Sequence, residues 1–204
     1  MYRERLEGAD RWSPLILRPP VVPEGHVELG EICRVHRGQV TRSNATWVVP
    51  SSGSPLVPER YLRPAVTRTR ELLDAGERLE SSAALRRVID LPADLSELDP
   101  DERGGVEALL EAALMAGVAD DYVARNRRAW WSVGLREPAP ILATYMARRP
   151  PAFVRNIAGA HHINIAHGVY PRAPLPDRAL DRITAALRSA ADERRWSEGA
   201  SLDR

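Results

Sequence analysis

The sequence predicts an α+β fold, a single irregular domain of short strands with helices at its edges. Three observations carry this. Two segments, one after Leu98 and one from Asp177, repeat apolar residues at helical spacing, whereas the apolar runs elsewhere are only a few residues long and bounded by Pro, Gly and Asn. No internal repeat and no clean linker divides the 204 residues, a length that supports one large domain. The composition, 44% hydrophobic and 28% charged, is that of a folded chain. The expected division is an extended lead-in over residues 1–26, a domain over 27–195 and a tail over 196–204.

The lead-in carries Pro14, Pro19, Pro20 and Pro23, which favour extended backbone. Val27 to Val35 reads as a strand or irregular edge, followed by a polar loop from Arg37 to Asn44 and a strand over Ala45 to Val49. Pro50 to Pro55 is a turn. A helix is predicted over Thr69 to Leu79 and a strand over Leu85 to Leu91. The clearest helix follows Leu98: Asp99 caps, Pro100 suits the first position, and Asp101 and Glu102 complement the positive helix end. Val106, Leu109, Leu110, Ala113 and Leu114 form its stripe, and Gly117 suits its stop. A second helix is expected over Asp120 to Ala129. Three short β-like runs follow, Trp131–Leu135, Ile141–Met146 and Ile163–Ala166, with Ala152–Ile157 between them. The last helix runs from Asp177 to Arg195, with Leu180, Ile183, Leu187 and Ala191 on one face.

Charge narrows the function classes. Net charge is only +1, and all 29 basic residues are Arg, whose planar fork fits phosphate and guanine edges. Their placement is blocky. From Arg34 to Arg70 seven Arg face Glu59 alone, and from Tyr122 to Arg172 eight Arg face Glu137 alone; between them Asp90 to Asp121 holds ten acidic residues and only Arg103. This pattern suggests basic parts that face a polyanion and an acidic part that turns away. No run approaches the roughly 20 apolar residues of a membrane helix, and residues 1–7 lack the apolar core of a secretory signal, so the expected address is the cytoplasm. Cys33 alone cannot form an intramolecular disulfide or a Cys-rich zinc site.

Four segments could carry chemistry. Arg37 to Asn44 concentrates Arg, Gln, Thr, Ser and Asn in a Gly-containing loop, a mixture that suits base edges and phosphates but also an ordinary solvated turn. Tyr145 to Asn156 interleaves Arg148, Arg149 and Arg155 with aromatics around a Pro pair, which suits phosphate gripping with stacking. Its Pro-Pro-Ala-Phe is not the catalytic tetrapeptide of amino-methyltransferases, because Arg149 replaces the required amide or carboxylate and Ala152 intervenes before the aromatic. Arg127 to Trp131 brings a Trp pair that reads more readily as packing than as a base platform. His161, His162 and His167 invite a metal reading, but the alternation at Ile163 and Ile165 is what a strand needs. No Gly-rich cofactor loop occurs, and no self-sufficient catalytic centre is visible.

Taken in order, Trp12–Ile16, Leu29–Thr41 with Asn44, Pro64–Arg68, Trp130–Trp131, Ile141–Met146, Pro151–Asn156 and Asn164–Pro171 form a recognisable series. It resembles the TaqI-like C-terminal specificity domain of γ-class N6-adenine DNA methyltransferases from restriction-modification systems. The resemblance implies a target-recognition domain that grips duplex DNA while a separate part binds S-adenosylmethionine and methylates a flipped adenine. It places Arg37, Gln39, Thr41 and Asn44 on the DNA, by match to the family's Arg-Gly-x-Val-Thr-Gly-x-Asn loop. Arg42 stands where that pattern has Gly, so a positive φ there would strain the loop. Arg42 itself, Thr67, Arg68, Arg148, Arg149, Arg155 and Asn156 are further DNA-contact candidates. No catalytic residue, metal or cofactor is expected within this chain, and the partners expected are double-stranded DNA and a methyltransferase catalytic domain or subunit. Because the sequence stops short of the family's C-terminal pattern, a split specificity subunit, a truncated gene product or an excised piece of a longer protein is expected. The competing expectation is a remnant that docks onto a methyltransferase or restriction partner without reading DNA.

Overall fold

The computed structural model describes residues 22, 24, 25, 27–145 and 150–199. The chain divides into two compact units, Met1–Ile32 and Cys33–Arg204. In the first, α1 (Leu29–Ile32) is one turn, closed by Glu31 N donating to Glu28 O at 2.9 Å.

The second unit is built on two sheets. The five-stranded sheet has the order β1 (Cys33–Arg37), β9 (Ala166–Pro171), β6 (Ile141–Thr144), β7 (Phe153–Asn156), β4 (Arg78–Leu79). Its pairings are antiparallel except β4 with β7. The four-stranded sheet runs β2 (Val48–Val49), β5 (Arg87–Ile89), β3 (Leu62–Val66), β8 (His161–His162), with β3 and β8 parallel. Mixed helices and strands in two open sheets make this the expected α+β fold.

Two apolar clusters hold it together. Trp47, Leu62, Val88, Ile89, Val106, Leu110 and Ile163 centre the first, where α4 (Pro100–Met115) packs beside the smaller sheet. Val66, Leu72, Leu79, Leu142, Val154 and Ala166 centre the second, between the larger sheet and α3 (Thr69–Ala75). Burying side chains of this size contributes roughly 1.5–3 kcal/mol each, against the entropy of ordering them. On the far side α6 (Asp177–Gly199) packs against β7 and buries Leu180, Thr184 and Ala191 at helical spacing.

The helix after Leu98 forms as its sequence requires. Asp99 N donates to Glu102 Oε2 at 3.3 Å, and Gly117, at φ 74°, takes the left-handed position that ends it. Elsewhere local pattern is overridden. Ala45–Val49 is not one strand: α2 (Asn44–Trp47) comes first, closed by Thr46 N and Trp47 N donating to Ser43 O, and swings Trp47 into the core. The helix from Thr69 stops at Ala75 because Gly76 adopts φ 67°, so Leu79 belongs to β4. Asp120–Ala129 shortens to α5 (Tyr122–Arg125), with Asp121 accepting from Val123 N at 2.8 Å as its cap. Trp131–Leu135 is not a strand either; the Asp90 carboxylate takes the Gly134 and Leu135 N–H groups at 2.7 and 3.1 Å. Asn164–Ile165 is a turn closed by Ala166 N to Ile163 O at 3.1 Å, which separates β8 from β9.

Candidate nucleic-acid interface

The Arg37–Asn44 loop leaves the end of β1 and enters α2. Backbone contacts hold its first half. Gly38 N donates to Ala166 O at 2.9 Å, Gln39 forms a parallel bridge to Ile163, and Asn164 N donates to Gln39 O at 3.0 Å. Gly38 is packed so tightly that a Cβ there would lie 2.1 Å from Ile163 O, so no larger residue fits without movement.

That bridge sets an edge. β3, the 161–163 segment and Gln39 run side by side in one direction, because both pairings between them are parallel. Parallel chains leave a sheet on the same side, so Thr67–Arg68, Asn164 and Val40–Arg42 emerge together. At the neighbouring sheet end, Arg37 and Ala143 both pair with His167, which puts these side chains on one face with Tyr145 two residues further on. The Arg37 guanidinium lies over the Tyr145 ring, 5.1 Å from its centroid, and His167 meets the same ring edge-on at 4.8 Å. Burial, and then the Arg37 charge, lower the His167 pKa, so the ring that packs here at neutral pH is uncharged.

The site residues expected from the sequence separate by exposure. Arg37, Arg42, Asn44 and Arg68 are exposed and Gln39 is half-buried. Neither Arg37 nor Arg68 has an ion-pair partner among the described residues. Thr41 is buried, its hydroxyl donating to the Asn44 side-chain oxygen. Thr67 is buried as well; its Oγ1 accepts from Arg86 Nε at 2.8 Å, and Glu71 takes its N–H at 2.7 Å. Arg155 and Asn156, named above as further DNA-contact candidates, are buried. Arg155 reaches Asp177 at 2.5 Å, Asp181 at 3.2 Å and Pro140 O at 2.8 Å, which ties α6 to β7. Asn156 Nδ2 donates to Ala139 O and Ala160 O, and its Oδ1 accepts from Ala160 N at 3.0 Å. Strand alternation in β7 gave no warning of this, because all of Val154, Arg155 and Asn156 are buried. Arg148 and Arg149 lie outside the described residues.

Arg42 does adopt a positive φ, 62°, the one non-glycine residue to do so among those described. Its Nε donates to Asp121 Oδ1 and Oδ2 at 3.1 and 2.9 Å. The acidic segment therefore does not turn away from the basic ones as its composition suggested. Asp121 takes Arg42, Asp120 takes Arg125, and the start of α4 takes Arg60 through Asp99 and Glu102. Opposite charges packed at close range attract more strongly than net segment charge can direct.

Sequence reasoning missed Tyr145 and His167 as a pair and passed over Asn164, since no spacing rule brings residues 37, 145 and 167 to one face. Trp130 and Trp131 pack as expected: Trp131 Nε1 donates to Pro92 O at 3.0 Å, and Trp130 lies 6.2 Å from Trp47. Among the described residues no group of three His, Cys, Asp or Glu side chains could hold a metal ion, and no helix is long and apolar enough to cross a membrane.

Residues 22–189 match the family described as the C-terminal domain of Type II methyltransferase M.Eco57I. The chain is also 52% identical over 174 residues to Type II methyltransferase M.XamI of Xanthomonas campestris pv. amaranthicola. The aligned part is 85% of this chain and 33% of that protein, so the chain spans about a third of its relative's length.

Proposed function

We propose, from the premise that this chain belongs to the M.Eco57I C-terminal domain family of restriction-modification methyltransferases, that it reads a specific sequence in duplex DNA for a catalytic part that methylates adenine N6. The observation that carries this reading is the edge at which Gln39, Asn164 and Arg68 emerge, with Arg37 at the neighbouring sheet end, and the two guanidiniums of Arg37 and Arg68 left without carboxylate partners among the described residues. Arg reads guanine through O6 and N7, and Gln and Asn read adenine through N6 and N7. Tyr145 packs against the Arg37 guanidinium and restricts its positions, which favours a defined approach to a planar acceptor. Arg42, already paired to Asp121, is a poorer phosphate ligand than composition suggests. S-adenosylmethionine would sit on the catalytic part, and the energy of DNA recognition would help offset the cost of flipping the target base.

Selection from a randomised duplex pool at near-physiological salt, with the bound fraction sequenced, tests the reading. One enriched motif containing adenine is the expected result, and Gln39→Ala should change the preferred bases. Arg37→Ala should weaken binding to that motif by about 1–3 kcal/mol, the size of one bidentate base contact. Binding without enrichment would reduce the domain to phosphate gripping.

A second reading, a module that docks onto a methyltransferase or restriction partner, draws on one observation. Leu114, Met115 and Tyr122 lie exposed around the end of α4, with Met115 86% accessible. Co-purification with that partner and no affinity for DNA would favour it.

A further inference from the structure

The middle of the Arg37–Asn44 loop is held by side chains from one distant short element. Arg127, just after α5, is half-buried and donates from Nη2 to Val40 O at 2.8 Å and Thr41 O at 3.1 Å. Its Nη1 reaches Trp130 O at 3.3 Å, which anchors the guanidinium to the Trp47–Trp130 packing behind the loop. Asp121, which caps the front of the same helix, takes the Arg42 guanidinium. The cation thus takes the loop's carbonyls and the carboxylate takes its charged side chain. Without these ties the left-handed backbone of Arg42 would relax, because a residue with a Cβ disfavours φ near 62°.

We propose that Arg127 and Asp121 are positioning residues for sequence selection, fixing the path of Val40–Arg42 so that Gln39 and Asn44 meet bases in one register. The inference rests on the DNA-reading function proposed above. Arg127 belongs to a basic run, yet its geometry assigns it to the loop's backbone and not to a phosphate. One nitrogen, Nη2, serves both loop carbonyls while Nη1 takes Trp130 O, so the fork ties the loop to Trp130; Lys, with a single nitrogen, would keep the charge and lose that tie.

The test uses the full chain and three variants, Arg127→Lys, Arg127→Met and Asp121→Asn. Three readouts apply to each: the affinity ratio of selected motif to random duplex, the salt dependence of random-duplex binding, and amide hydrogen exchange of residues 38–44. Both Arg127 variants should lose roughly tenfold in the ratio, keep the wild-type salt slope and speed exchange in the loop. Asp121→Asn keeps a capping side chain but frees Arg42. It should lower the ratio while steepening the salt slope by about 0.9, one added phosphate contact. A slope that falls by about 0.9 in Arg127→Met would make Arg127 a phosphate ligand and overturn the inference. Unchanged loop exchange in all three variants would overturn it whatever the DNA data show. A wild-type chain that selects no motif would instead remove the function on which the inference rests, while exchange still reports separately on the loop ties.

Discussion

Arg42 and Asp121, 79 positions apart, form a two-pronged ion pair that holds a strained residue in place: Arg42 Nε and Nη2 each lie 2.9 Å from Asp121 Oδ2, with the Arg42 backbone at φ 62°. The pair is exposed, so its attraction falls as salt rises. Arg42→Gly should relieve the backbone and give up the pair together. The expected result is thermal stability close to wild type, with a midpoint that no longer falls between low and high salt through this contact. Asp121→Ala leaves Arg42 strained and unpaired, and removes a helix cap, so it should be the less stable of the two. Thermal melts of both variants at two salt concentrations check the order.

The close approach at Gly38 gives a sharper stability test. A Cβ there would meet Ile163 O at 2.1 Å and the His162 ring at 2.7 Å. Backbone oxygen cannot move aside as a side chain can, so Gly38→Ala should cost about 3 kcal/mol. Gly30→Ala, where a Cβ meets nothing within 4 Å, is the control and should stay within about 0.5 kcal/mol. Denaturant unfolding of the two variants would show whether the Gln39–Ile163 bridge is as tight as it stands.

His162 sets an acid limit. It sits between Gly38 and Gly168, and its Nε2 is buried without a hydrogen-bond partner among the described residues. Burial first, then the nearby His161 and His167, push its pKa down to about 4 from an ordinary 6.5. The unfolded chain therefore binds a proton that the folded chain refuses. Stability from this group is complete above pH 6.5 and is lost as pH falls toward 4, by about 3 kcal/mol in all. Unfolding free energies measured across that window should show this slope in the wild type and a flatter one in His162→Gln. Equal slopes would mean that His162 takes up its proton in the folded state.

Asn156 links three backbone groups at the end of β7, bonding Ala139 O, Ala160 O and Ala160 N. Asn156→Ala strands buried donors and acceptors and should cost about 3 kcal/mol. Asn156→Asp keeps the acceptor for Ala160 N but loses both donations and buries a charge, so it should be no better. Urea midpoints distinguish this structural role from a DNA-facing one, for which stability would barely move.

Elements with a local cause were legible in the order of residues. The helix from Pro100 follows from its cap, its stripe and Gly117, and the last helix from its apolar spacing; neither needs a distant partner to be recognised. The ordered series of short motifs was enough to place the chain in a family, and the Arg37–Asn44 loop was legible as polar and Gly-containing. Its strain at Arg42 was also legible, because a left-handed turn penalises any Cβ. Which polar residues face out depends on how the sheets and helices pack. Arg155, Asn156, Thr41 and Thr67 read like Arg37 or Arg68 in sequence, but burial and a full set of internal partners set them apart. That packing also decides that Tyr145 and His167 join Arg37, and that Asp121 and Arg127 hold the loop. These contacts span 22 to 130 positions, with Arg37 paired directly to His167 and Tyr145 against His167. Such separations are closed by strand register and core burial, and no short window of sequence records either.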